Sequence, residues 1–298
     1  MKVNWKGVIP AITTPFNADL SIDEGFMVEH ARWMIAAGCV GVVPFGSLGE
    51  AATVSRAEKL SAIEKLRGAL DGIAPVIPAV SALSTAEAVA YTREAQAAGA
   101  SGFMVLPPYV YSSDWREMRT FIAAILAATD LPCLLYNNPL AYKTDFLPGQ
   151  IVELSRAFAH MNAVKESSAD VRRIAALRSL VGDGIDILVG VDDLIIEAVD
   201  AGATGWIAGQ VNALPAESVT LYRLAMAGRK PEAFELYRWF LPLLRLDTTL
   251  KFVQMIKLTQ ERVGMGSSRV RGPRLELEGA ELAATLKVID EALATRPG

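Results

Sequence analysis

One short form occurs three times, and nothing else in the chain narrows the fold as much. Ala37-Gly38-Cys39-Val40-Gly41-Val42-Val43, Ala98-Gly99-Ala100-Ser101-Gly102-Phe103-Met104 and Ala201-Gly202-Ala203-Thr204-Gly205-Trp206-Ile207 all read Ala-Gly-x-x-Gly and then two apolar residues. A helical pattern precedes each copy and an apolar run follows it. Glycine just past a helix end accepts positive φ and stops the helix. Each copy therefore reads as helix, tight loop, buried strand.

Extended along the chain, this alternation predicts strands over Val8–Thr13, Gly41–Phe45, Val76–Val80, Gly102–Leu106, Cys133–Tyr136, Ala163–Lys165, Ile187–Val191 and Thr204–Ala208. Helical patterns lie between them, over Asp23–Ala37, Ser55–Leu70, Thr85–Ala98, Asp114–Ala128, Pro148–Arg156, Asp170–Leu180 and Asp193–Ala201. The strands are continuous apolar runs, which is the mark of a parallel sheet covered on both faces. Eight such strands with intervening helices predict an α/β fold, a closed (β/α)₈ TIM barrel. The rival is an open doubly wound sheet, but no Gly-x-Gly-x-x-Gly follows the first strand, which weakens a dinucleotide-binding version of it.

After Ala208 the pattern turns wholly helical, over Ala216–Met226, Pro231–Arg245, Thr249–Val263 and Gly279–Ala292. The expected organisation is a catalytic barrel over residues 1–228 and a C-terminal helical appendage over 229–298. The appendage carries no catalytic pattern of its own and reads as a packing or oligomerisation surface.

Composition excludes several functions. With a net charge of −4 and no basic block, nucleic acid is a poor partner. Two histidines, His30 and His160, and two cysteines, Cys39 and Cys133, leave little from which to build a transition-metal site. The cysteines lie in apolar strand contexts and read as small core residues. No apolar run approaches membrane-spanning length and no signal peptide is evident. The expectation is a soluble, cytoplasmic protein without a membrane partner.

In a parallel barrel the reactive groups sit at the carboxyl ends of the strands. Of ten lysines, only Lys165 stands inside a strand-like apolar run. Burial penalises the ammonium form and makes a neutral, nucleophilic amine available, and such an amine attacks a carbonyl or imine carbon to form a Schiff base. Taken singly, a strand-end lysine reaches solvent, a strand-end tyrosine is a rim residue, and Ser47 in Gly46-Ser47-Leu48-Gly49-Glu50 is a local cap. Together, Lys165, Tyr136, Tyr109 and Ser47 fall at one end of one barrel. Lys165 is then the nucleophile, Tyr136 its general acid and base, and Ser47 and Tyr109 a path for the proton. The backbone N–H groups of Gly46–Leu48 would hold a carboxylate beside the reacting carbon. The substrate expected is a small 2-oxo or 2-imino acid.

At these residues the chain resembles the dihydrodipicolinate synthase / N-acetylneuraminate lyase family over nearly its full length. The resemblance rests on Gly46-Ser47-Leu48-Gly49-Glu50 for the family's Gly-x-x-Gly-Glu loop, Tyr136-Asn137-Asn138-Pro139 for its catalytic tyrosine segment, and Val164-Lys165-Glu166 for its Schiff-base lysine. It implies a class I lyase on a (β/α)₈ barrel, commonly a homotetramer. It implies imine formation on Lys165 and proton transfer by Tyr136. It also implies that Tyr109 reaches a neighbouring subunit's site, hence a dimer or tetramer, and that the backbone carbonyl of Ile207 faces the lysine.

The departures bear on the substrate. Where the synthase has two threonines, this chain has Ser47 and Leu48, and no arginine follows Tyr136 in Asn137-Asn138-Pro139-Leu140-Ala141-Tyr142-Lys143. Lys143 cannot grip a carboxylate with two parallel hydrogen bonds as arginine does. The motif set is most similar to 1-pyrroline-4-hydroxy-2-carboxylate deaminases of hydroxyproline breakdown, which give 2,5-dioxopentanoate and ammonia. The alternative is 4-hydroxy-tetrahydrodipicolinate synthase or another pyruvate-dependent aldolase. Asn138, Tyr142 and Lys143 are candidates for the distal end of the substrate. Neither metal nor organic cofactor is expected beyond the covalent imine with Lys165.

Overall fold

The fold is that of a computed structural model, which describes residues 2–108 and 114–297. Seven strands lie in one parallel sheet: β1 (Gly7–Pro10), β2 (Ala79–Val80), β3 (Phe103–Val105), β4 (Cys133–Asn137), β5 (Met161–Glu166), β6 (Asp186–Val189) and β7 (Gly205–Ala208). Their order is β1-β7-β6-β5-β4-β3-β2. Residues 40–44 close the ring between its two edges. Val43 donates to the Pro10 carbonyl at 2.8 Å, Val42 to that of Pro75 at 3.1 Å, and Ile77 to that of Val42 at 2.9 Å. This is the eighth stave of a (β/α)₈ barrel. The strand expected over 41–45 is reduced to single bridges, Ala11 with Val43 and Val42 with Val76, and the one expected over 76–80 to that second bridge and the two residues of β2. Proline explains the difference: Pro44, Pro75 and Pro78 lack the N–H that a regular ladder needs.

Helices cover the outside: α1 (Glu24–Ala36), α2 (Arg56–Leu70), α3 (Thr85–Ala97), α4 (Trp115–Leu126), α5 (Pro139–Tyr142), α6 (Pro148–Ala157), α7 (Arg172–Val181), α8 (Ile195–Asp200) and α9 (Pro215–Met226). Asp23, Ser55, Ser84 and Asp114 cap α1 to α4 by accepting a backbone N–H three residues on, which satisfies an otherwise orphaned donor. Asp170, where the expected helical pattern begins, stands just ahead of α7 and accepts the Arg172 N–H at 3.1 Å. It takes the Arg172 guanidinium in a fork at 2.7 and 2.8 Å, and α7 starts two residues later.

The threefold repeat has one geometry. Gly38, Gly99 and Gly202 have φ of 108°, 104° and 108°, which a residue with a Cβ rarely adopts. The second glycine of each copy admits a close neighbour: a Cβ on Gly102 would sit 2.7 Å from the Pro132 carbonyl. The repeat is thus the helix-to-strand turn of the barrel.

Two apolar layers result. The outer one joins strands to helices through residues such as Phe103, Val164, Trp206 and Phe240. The inner one fills the barrel with Ile9, Val43, Met104, Leu134, Ala163 and Leu188. Cys39 and Cys133 are buried free thiols, each pushed up to about 12 by burial, as suits core residues. The appended helices are α10 (Lys230–Leu244), α11 (Phe252–Arg262) and α12 (Gly279–Ala294). Helix α11 adds Val253 and Ile256 to the inner layer, beside Leu48.

Candidate active site

Strand alternation sets the two central side chains. Tyr136 of β4 and Lys165 of β5 are partners in register, so both point into the barrel while their successors, Asn137 and Glu166, point out. Lys165 is only 6% exposed. Its Nζ lies 4.5 Å from the centre of the Tyr136 ring, and it makes no hydrogen bond or ion pair among the described residues. Outside the sheet, Asn137 donates to Glu166 at 3.1 Å and to Asp145 at 3.2 Å, and Asp145 forks with Arg173 at 2.5 and 2.7 Å. This network braces β4 against β5 at the height of the site.

Gly190, at the end of β6, makes room for the lysine. A Cβ there would collide with Lys165 Cε and Ser167 Oγ and lie 2.9 Å from Lys165 Cγ. Only a glycine lets the amine lie against this wall.

A cavity of about 650 Å³ opens over these groups at the carboxyl ends of the strands. Gly46, Ser47, Leu48, Asn138 and Ile207 all border it with Tyr136 and Lys165. Ile207 lies on the inner face of β7. Two expected contacts differ in detail. The Ser47 hydroxyl is hydrogen-bonded to the Tyr142 phenol, whereas the Tyr136 phenol accepts from Asn138 Nδ2 at 2.8 Å. Tyr142 stands edge-on to Tyr136 with ring centres 5.9 Å apart. Asn138 also caps α5 by accepting from the Ala141 N–H at 3.0 Å. The short helix α5, followed by no strand, brings Tyr142 back between the serine loop and Tyr136. Tyr109 lies outside the described residues.

Sequence reasoning missed three groups that border or support the cavity. Ser167 is buried, faces the cavity wall, and its hydroxyl has no partner among the described residues. Its position two after Lys165 was a usable signal, since a period of two keeps it on the same face. Asp192 is fully buried and accepts from Trp206 Nε1 at 3.0 Å, Gly209 N at 3.0 Å and Gln210 N at 2.8 Å. Burial pushes its carboxyl up to about 6, against those three donors and the Lys165 charge. Asp247 comes from the 3₁₀ turn Arg245–Thr248 and borders the cavity. Burial raises it well above the usual carboxylate range, and the Asp192 charge adds to that. No local pattern announces Asp247, because it reaches the site only through the packing of the appended helices. That packing also corrects the reading of the appendage as surface alone: Thr248, Thr249 and Phe252 line the cavity too.

Among the described residues no group of three His, Cys, Asp or Glu side chains could hold a metal ion, and no helix is long and apolar enough to cross a membrane.

Comparison with known proteins covers the whole barrel. The model of the dihydrodipicolinate synthetase family matches residues 4–292. The 4-hydroxy-tetrahydrodipicolinate synthase of Methanopyrus kandleri is 32% identical over 272 residues, 91% of each chain. That of Rhizobium meliloti is 30% identical over 97% of each. The solved 4-hydroxy-tetrahydrodipicolinate synthase of Methylacidiphilum fumariolicum SolV superposes with a TM-score of 0.91 at 27% identity, covering 97% of each chain.

Proposed function

The chain belongs to the dihydrodipicolinate synthetase family of lysine Schiff-base lyases, and on that footing we propose that it makes or breaks a carbon–carbon bond beside the carbonyl of a pyruvate-like 2-oxo acid. The observation that carries this reading is Lys165: buried, without a bonded partner among the described residues, and open to a cavity under the Tyr136 ring.

The Lys165 amine attacks C2 of the oxo acid, and loss of water leaves an imine. The imine draws electrons from C3, so a C3 proton leaves and an enamine forms. The enamine carbon attacks an aldehyde, whose oxygen takes up a proton. Water then cleaves the imine, releasing product and free lysine. Tyr136 is the group that gives and takes protons at the imine, with Asn138 holding the phenol oxygen at 2.8 Å so that its own O–H points elsewhere. Ser47 and Tyr142 supply a second hydroxyl pair for proton passage, and the N–H groups of the Gly46–Leu48 loop receive the carboxylate. No metal or organic cofactor takes part. Tyr109 from a second copy would complete the relay in a dimer or tetramer.

A second reading is supported by two residues. Leu48 replaces a hydroxyl in the carboxylate loop, and residues 137–147 contain no arginine to hold the charged end of an aspartate semialdehyde. A cyclic 2-imino acid with one carboxylate needs neither. In that reading Lys165 attacks the ring C=N carbon of 1-pyrroline-4-hydroxy-2-carboxylate and opens the ring. A C3 proton and the 4-hydroxyl leave as water, and two waters then release ammonia and 2,5-dioxopentanoate. One pair of assays separates the readings: aldehyde-dependent consumption of pyruvate, and ammonia release from the pyrroline acid. Borohydride reduction with either substrate should fix its carbon skeleton on Lys165; an unmodified lysine with both would end both readings.

A further inference from the structure

A second lysine is buried more deeply than the first, and it lies behind the loop that faces the substrate. Lys257 of α11 and Glu50, the last residue of the Gly46–Glu50 loop, pair at 2.7 Å with side chains 2% and 0% exposed. The remaining contacts of the pair all belong to the appendage or the loop's flank. Lys257 Nζ donates to the Arg269 carbonyl at 2.5 Å, and the Arg271 N–H donates to the second Glu50 oxygen at 3.1 Å. Phe16 offers its ring to both cations, 4.4 Å from Lys257 Nζ and 4.6 Å from Arg271 Cζ. The Arg271 side chain then reaches Glu58 at the start of α2 at 2.9 Å and the Thr53 carbonyl at 2.8 Å.

The loop itself is held in unusual backbone. Phe45 and Glu50 have φ of 62° and 53°, a region costly for residues with side chains unless the surroundings impose it. Thr14 Oγ1 holds the Gly49 carbonyl at 2.6 Å, and Leu48 packs with Val253 and Ile256 of α11. Among the described residues the charged anchor of this conformation is Glu50, and its counter-charge comes from a helix outside the barrel.

We infer that the Glu50–Lys257 pair positions the backbone N–H groups of Ser47 and Leu48, so that α11 governs how tightly the site holds a carboxylate. The inference rests on the substrate-binding role given to this loop above. Both are positioning residues: neither borders the cavity, and they act through the loop. An ion pair this dry is unforgiving, because removing one partner leaves the other charge without solvent or counter-ion.

The test uses Glu50→Gln, Lys257→Met and the double variant, in which no lone charge is left. Each folded variant should raise KM for pyruvate about tenfold or more while kcat moves less than about threefold, since the loop contacts the carboxylate and not the reacting carbon. Loss of thermal stability without a change in KM would mark a purely structural pair and overturn the inference. Amide hydrogen exchange provides a readout that needs no substrate. In the wild-type protein the loop amides of Glu50, Ala51 and Thr53, which donate to the Ser47, Gly46 and Glu50 carbonyls, should exchange slowly, and the double variant should speed them but not the amides of β4 and β5. Fast exchange of the loop in the wild type, or an unchanged loop in the double variant, overturns the clamp. Failure of borohydride to trap pyruvate on wild-type Lys165 would instead overturn the pyruvate reading, and exchange alone would then decide the clamp.

Discussion

Lys165 and Lys257 are both withdrawn from water, yet their surroundings differ in kind. Lys257 has an anion at 2.7 Å, a carbonyl at 2.5 Å and an aromatic face beneath it. Burial pushes its ammonium down and Glu50 pulls it back. Lys165 has the Tyr136 ring and open cavity, with no acceptor bonded to its nitrogen among the described residues. Asp192 and Asp247 share its field without bonding to it among the described residues, and the Asp192 carboxyl is already committed to three N–H donors. Burial alone therefore does not make a nucleophile. A buried lysine whose donors are taken serves as a structural cation, while one that faces empty volume is free to form a covalent bond.

The sharpest way to break this contrast is to exchange the roles by mutation. Lys165→Ala should lower turnover by on the order of 10⁴-fold or more and abolish borohydride trapping, with denaturant unfolding close to wild type, because no ion pair is lost. Lys257→Met should do the reverse. It should cost about 3–5 kcal/mol of unfolding free energy by stranding Glu50 and leave trapping at Lys165 intact, as read by denaturant titration and by mass spectrometry of the reduced adduct. If Lys257→Met is instead as stable as wild type, the pair is not the buried charge pair described.

Gly190→Ala sharpens the comparison from the side of space. The added methyl would meet Lys165 and Ser167, so the amine must turn away, and activity should fall about 100-fold with the fold preserved. Asn138→Ala removes the donor on the Tyr136 phenol and should cost about tenfold in kcat with trapping retained.

The smallest effect concerns pH. Asp192 has its carboxyl pushed up to about 6 by burial, above the usual unfolded value of about 3.9. Between those values the folded chain binds the extra proton, so stability due to this group is present at low pH and declines as pH rises through 6. Wild type should lose stability across that window relative to Asp192→Asn, measured by denaturant unfolding at each pH. Parallel curves for the two proteins would sink this assignment.

The two lysines also show how far local patterns reach. Lys165 was legible because a strand has a period of two and an apolar run leaves a lysine in its midst no route out. Lys257 was not, because on a helix the same residue usually bends its stem toward water. Its partner is Glu50, 207 positions away. Tyr142 was similarly out of reach. It was a candidate for the far end of the substrate, but its bond to Ser47 depends on a four-residue helix, Pro139–Tyr142, between two expected elements. The broken staves at Val42–Val43 and Val76–Ile77 could have been read from Pro44, Pro75 and Pro78, since proline's missing N–H is a local fact.

By itself the sequence determined whatever depends on neighbours in the chain: the glycine stops at Gly38, Gly99 and Gly202, the caps of the first four helices, the barrel, and the strand that carries Lys165. Backbone dihedrals and side-chain periodicity are set within a few residues, so they can be read there. Only the tertiary structure decided which buried lysine has a counter-ion, which hydroxyl meets Ser47, and that Asp247 of the appendage walls the cavity. Those depend on where remote segments come to lie, and burial and electrostatics act between atoms close in space, however distant they are along the chain.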